Sequence, residues 1–205
     1  MADSEPEGRV VLDPEAQSPL TVREATAFGS AVHELLEACA KRRWVIPAEA
    51  EIAARLEVRG LDASDNAILD RAKEMVYGFL ESDLGRPVAG EKCEVEIPLL
   101  FDAGGVTVRG FADLLAANAS PPLILDYKSN NLEGTTALKK MEEQYGLQRD
   151  LYGLAVADGL GIDTVDTAFV FLGDVANPVQ MRLGPDQLSG ARERVDGLVG
   201  MIRAV

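Results

Sequence analysis

Cysteine is scarce in this chain: Cys39 and Cys93 are the only two among 205 residues, and neither belongs to a CxxC pair. That excludes a disulfide framework and a four-cysteine metal cluster. Histidine occurs once, as His33, so a multi-histidine zinc centre is excluded as well. No apolar run approaches the roughly 20 residues that cross a bilayer. The acidic start MADSEPEGRV lacks the basic and apolar regions of a secretory signal. A cytoplasmic location with no membrane contact is therefore expected. Basic residues are outnumbered, 20 Lys and Arg against 34 Asp and Glu, for a net charge of −14. Sequence-independent affinity for nucleic acid comes mainly from cations that neutralise phosphates, so the charge balance argues against a free-standing DNA-binding protein. There is no internal repeat, phosphate loop or GxSxG elbow, and nucleophilic Ser or Cys catalysis has no support.

What is present describes a globular domain. Hydrophobic residues make up 47% of the chain and the mean hydropathy is +0.01, enough for one substantial core. Residues 1–20 are rich in Pro, Glu, Asp and Ser without periodicity and read as a flexible tail or linker; residues 21–205 read as one domain. Thr21-Val-Arg-Glu24 is a capping box, followed by Phe28, Val32, Leu35 and Cys39 at helical spacing, so a helix is expected to about Lys41. Two more amphipathic helices are expected over 48–58 and about 62–82. Trp44 between them reads as a packing anchor, since no second aromatic or basic cluster accompanies it.

A strand over 92–101, a Gly-Gly turn and a second strand closing at Asp113 predict a hairpin. Leu123-Ile-Leu125 behind two prolines reads as a strand buried on both faces, ending in Asp126-Tyr-Lys128. Period-2 geometry sends Asp126 and Lys128 to one face and Tyr127 to the other. A short connection brings Asp113 beside Asp126. Adjacent carboxylates repel unless a proton or cation lies between them, and hard ions such as Mg2+ are held by one or two carboxylates. A polar loop over 130–134 precedes a helix over 138–157, whose inward face carries Tyr145, Gln148 and Tyr152; a buried Gln amide needs a polar partner. Lys139, Lys140 and Arg149 make that helix the most basic surface of the chain. A buried strand over 167–172 and a helix opened by Gly184-Pro185 complete an α/β domain, a central mixed sheet flanked by helices with an N-terminal helical section.

Gly29-(x3)-His33, Glu96-Ile-Pro-Leu, Gly110-Phe-Ala-Asp113, Asp126-Tyr-Lys128 and Tyr145-(x2)-Gln148-(x3)-Tyr152, in that order, resemble the motif set of the RecB-type nuclease domain. That is a branch of the PD-(D/E)XK nucleases with a restriction-endonuclease-like core, found at the C-terminus of RecB and AddA helicase-nucleases. Ala112, Ser129 and Arg149 stand where the family usually has Ile, Thr and Leu, and none of these departures removes a ligand. The resemblance implies a metal-dependent deoxyribonuclease, an exonuclease acting with a helicase in double-strand-break repair and recombination. It implies His33, Asp113, Asp126 and the Tyr127 carbonyl as ligands of Mg2+ or Mn2+, with Glu96 near them and Lys128 acting on the attacking water. Gln148, Tyr152 and Tyr145 are then supporting residues, and the Lys139, Lys140 and Arg149 surface is the local DNA track. Glu37, four residues after His33, either orients it or is solvated. Some relatives bind an iron–sulfur cluster through four cysteines, which this chain does not have. The Met1 start and the lack of an ATPase motif fit an excised C-terminal domain or a small relative acting with a helicase partner. A catalytically silent DNA-sensing or partner-interaction module is the alternative, since fold does not fix function.

Overall fold

The computed structural model describes residues 20–130, 132 and 134–203. Apart from Leu20, the expected tail lies outside them, as do Asn131 and Glu133 of the polar loop. Six helices and five strands follow in the order α1 (Val22–Lys41), α2 (Glu49–Val58), α3 (Asn66–Glu81), α4 (Gly85–Gly90), β1 (Glu94–Ala103), β2 (Val106–Ala116), β3 (Leu123–Lys128), α5 (Ala137–Leu160), β4 (Val165–Phe171), β5 (Val179–Leu183) and α6 (Pro185–Arg203), among the described residues. Thr21 caps α1 through both halves of its capping box with Glu24, so the chain enters the helix with its first donors satisfied.

The strands form one sheet in the order β1-β2-β3-β4-β5. Only β3 and β4 run parallel, bridged by the long α5 crossover; the other neighbours are antiparallel. This is the mixed sheet flanked by helices that the sequence predicts. One face packs against α1, α2 and α3 through Phe28, Leu36, Phe79, Leu114, Leu125 and Tyr127. The opposite face packs against α5 and α6 through Phe101, Ile124, Tyr152, Leu183 and Val195. Trp44 lies in the first core, 6.0 Å from the Phe79 ring.

Gly104 and Gly105 turn the hairpin with φ of 56° and 83°, a left-handed pair that a side chain would strain. Strand β2 does not close at Asp113. It runs on to Ala116, because Leu114, Leu115 and Ala116 pair with Leu125, Ile124 and Leu123. Pairing between β2 and β3 is confined to those three positions, so the strands part immediately beyond them. The first residues past the parting are Asp113 and Asp126. Two elements went unpredicted. Helix α4 is built from GRPVAG, whose glycines and proline read as a turn. The edge strand β5 is five residues long behind Pro178.

Candidate active site

Asp113 is tied to three elements. Its Oδ2 accepts a hydrogen bond from the Tyr127 backbone N–H at 2.7 Å, and its Oδ1 lies 3.2 Å from His33 Nδ1. The carboxylate therefore joins β2 to β3 and to α1. Gly29 of α1 lies over the residue that follows β3: a Cβ there would stand 2.5 Å from Ser129 Oγ, and the hydroxyl would have to turn aside. Burial pulls the His33 pKa down, but the hydrogen bond and charge of Asp113, with Asp126 behind it, outweigh burial and leave the pKa raised. The imidazole also meets the Tyr127 ring edge-on at 5.9 Å.

Asp126 is buried, and its two oxygens have different surroundings. Oδ1 accepts from Gln148 Nε2 at 3.1 Å and lies 3.2 Å from the Tyr152 hydroxyl. Oδ2 lies 2.5 Å from Lys128 Nζ, an ion pair without hydrogen-bond alignment, and has no hydrogen-bond partner. Burial pushes the Asp126 pKa up, Lys128 pulls against it, Asp113 adds to the rise, and the outcome is a raised value.

Lys128 is held on several sides. Gln148 Oε1 accepts from it at 3.0 Å, and its ammonium stands 4.2 Å from the Tyr145 ring and 5.6 Å from that of Phe169. Gln148 has the polar partners that its half-buried position requires, touching Asp126 with one end of its amide and Lys128 with the other. Tyr152 accepts from Gln148 Nε2 at 2.5 Å and has one proton to share between the Phe111 carbonyl and Asp126. Burial, then the charge of Asp126, raises its pKa.

Glu96 stands on the open side of an approximately 590 Å3 cleft also lined by His33, Glu37 and Ser129. Its φ is 51°, a left-handed conformation that costs a non-glycine residue about 1–3 kcal/mol and persists only where the surroundings fix it. Partial desolvation, then the charges of Asp113 and Glu37, raises its pKa.

Of the two alternatives for Glu37, orienting His33 or facing solvent, the structure shows it in an ion pair with exposed Lys41 one turn on. One expectation is corrected. The basic strip on α5 is not an open surface, since Lys140 is buried and Arg149 is bonded to buried Asp150 at 2.7 Å. Only Lys139 is well exposed. Sequence reasoning did not find Phe169, which lies opposite Asp126 in the parallel β3–β4 register. Gly29, one turn before His33 and on the same face, signals room for another group there, but the sequence does not name Ser129 as the residue that fills it.

Among the described residues no three His, Cys, Asp or Glu side chains form a ready-made metal cluster. The donors nevertheless suit a hard divalent cation: two carboxylates, one with a buried oxygen lacking a hydrogen-bond partner, and an imidazole, with no thiolate among them. Such an arrangement can hold a cation at the parting of β2 and β3, with a fixed ammonium beside it.

No curated protein matches this chain significantly. Among solved structures it is similar to an exonuclease candidate from Eubacterium rectale, with 12% identity, a TM-score of 0.47, and 90% of this chain and 85% of that one covered. It is also similar to SSO0001, with 13% identity, a TM-score of 0.34 and 84% of each chain covered. The model of the PD-(D/E)XK nuclease superfamily matches residues 9–204. With that match running over nearly the whole sequence, the chain belongs to the PD-(D/E)XK nuclease superfamily.

Proposed function

We propose that residues 21–205 form one metal-dependent deoxyribonuclease domain of RecB type, acting as an exonuclease. The observation that carries this reading is that Asp113 and Asp126 are the first residues past the last β2–β3 pair, beside a Lys128 held by Gln148. Asp113, Asp126 and His33, with the Tyr127 carbonyl, hold Mg2+ or Mn2+, and Glu96 adds a carboxylate on the open side. When bound, the ion supplies Lewis-acid stabilisation of charge on the phosphoryl oxygens. Lys128 orients the attacking water and stabilises the charge that grows on the phosphorus-bound oxygens as the ester P–O bond breaks. Gln148 keeps that ammonium in place, and Tyr152 and Tyr145 keep Gln148 and Lys128 from turning away.

A helicase domain or subunit of a RecB/AddA-like complex delivers the DNA, in double-strand-break repair and recombination. The acidic balance of −14 supports this division of labour, because another surface must carry the phosphates. The test has two parts. Labelled single- and double-stranded DNA is incubated with Mg2+, Mn2+ or chelator and run on a gel; cleavage with metal and none with chelator is expected. Mn2+ titration by calorimetry then compares the wild type with an Asp113→Ala, Asp126→Ala double variant. Equal affinity in the two would eliminate this metal site.

A further inference from the structure

Phenylalanine is a core residue in this protein, with one exception. Phe28, Phe79, Phe101, Phe169 and Phe171 are at most 5% exposed, whereas Phe111 is 63% exposed. It lies on the outer face of the β1–β2 hairpin, opposite Pro98, and the next cross-strand pair is Leu100 with Arg109. Leu100 is 66% exposed, and Pro98 and Arg109 are exposed as well. The inner face of the hairpin, with Leu99, Phe101, Val108 and Ala112, is the one that packs against α5 and α6. The outer face therefore contributes nothing to the core, and an exposed apolar patch of this kind marks a contact surface.

Its position identifies the contact. Phe111 precedes Asp113 by two residues on one strand face, a separation of about 7 Å at the rise of an antiparallel strand. Pro98 follows Glu96 by the same interval. A strand whose phosphate sits at the carboxylates has its neighbouring base over this patch. Arg109 has no ion pair or hydrogen bond among the described residues and is free to meet a phosphate. The net charge of −14 leaves little general attraction for DNA, whereas the face of a base is uncharged and stacks on an aromatic ring whatever its sequence. In a duplex those faces are covered. A protein seated on the same patch would obstruct the approach to Asp113.

We propose that Phe111 and Pro98, flanked by Leu100 and Arg109, form a stacking platform for the bases of an unpaired DNA strand entering the site, which makes single-stranded or frayed DNA its preferred substrate. The inference rests on the nuclease reading for the identity of the strand, and its test separates the two. The full-length protein is titrated with fluorescent oligothymidine by anisotropy, in chelator so that no strand is cut. A second oligonucleotide carries abasic positions. Phe111→Ala is expected to weaken binding of oligothymidine about tenfold, Phe111→Trp to retain it, and the abasic strand to bind wild type and Phe111→Ala alike. Because the side chain is exposed, melting should not change.

Equal affinity of wild type and Phe111→Ala for oligothymidine would overturn the platform and leave the nuclease reading standing. Phe111-dependent binding of normal and abasic strands alike would also overturn it, since the ring would then contact the backbone. So would Phe111-dependent association of protein copies in light scattering without strand binding, which would make the patch a protein interface. Phe111-dependent binding with no metal-dependent cleavage would instead retire the nuclease reading and leave the platform intact.

Discussion

Lys128 Nζ lies 2.5 Å from Asp126 Oδ2, two residues away on the same face of β3. Both groups are largely shielded from water, and the ammonium stands beside a carboxylate that also feels the charge of Asp113. The lysine therefore does the work of a cation while competing with any metal that approaches.

This competition makes Lys128→Ala informative. Removing one partner of a buried ion pair costs about 3–5 kcal/mol, so the metal-free variant should melt well below wild type. Added Mn2+ should then raise its melting temperature by more than that of wild type, because the uncompensated Asp126 gains a partner. Single-turnover cleavage at saturating metal should fall by at least about 100-fold. An unchanged cleavage rate would reduce Lys128 to a structural salt bridge.

His33 predicts a pH dependence of stability. Its pKa in the folded protein is raised above the ordinary value through Asp113 and Asp126. Protonated His33 therefore stabilises the fold fully below about pH 6.5, its unfolded value. That contribution is lost as pH rises through the raised folded value. The difference in melting temperature between wild type and His33→Ala, measured in chelator, should be largest near about pH 6 and shrink toward about pH 9. A difference independent of pH would show that His33 contributes only by packing against Tyr127.

The sequence carried the helices and the carboxylates but not the partners that fix them. Strand period alone placed Asp126 and Lys128 on one face, and helical period placed Gln148 and Tyr152 toward the sheet. Where β2 leaves β3 is not a periodic property; it depends on which residues pair, and so the pattern alone ends the strand at Asp113, three residues short of Ala116. The short β5, with exposed Gln180 and Arg182 between buried Val179 and Leu183, is too brief for alternation to stand out. Lys140 and Arg149 look like surface cations on a helix, but whether such a cation is open depends on tertiary partners that spacing does not reveal. Phe111 is similar: alternation assigns its face, and only the packing of the helices decides that this face is left open.

Asp150 gives a prediction that separates stability from chemistry. Its carboxylate is buried and accepts from Arg149 Nε at 3.0 Å and Nη2 at 2.7 Å, and from Arg194 Nε at 2.7 Å, tying α5 to α6. Asp150→Ala strands the largely buried Arg149 guanidinium and should cost about 3 kcal/mol. Arg194→Ala removes a side chain that is 55% exposed and should cost under about 1 kcal/mol. Neither should change Mn2+ affinity. A Mn2+ affinity that fell with Asp150→Ala would show that α6 docking shapes the site itself.

The charge balance leads to the last prediction. With Lys140 buried and Arg149 committed to Asp150, the basic surface of α5 reduces to Lys139, itself 3.8 Å from Glu143. The observed binding constant for duplex DNA falls with salt at a log–log slope of about −0.9 for each phosphate neutralised. One or two exposed cations therefore predict a shallow slope, of magnitude about 1 to 2, on top of weak binding, and the net charge of −14 weakens it further. Lys139→Ala should lower that slope by about 1. Fusion to a helicase motor should raise cleavage through local strand concentration, with the active site unchanged. Duplex anisotropy at several salt concentrations, with metal present, measures the slope directly. Tight binding with a steep negative slope would mean that the chain carries an extensive DNA surface of its own, and the need for a delivering partner would fall.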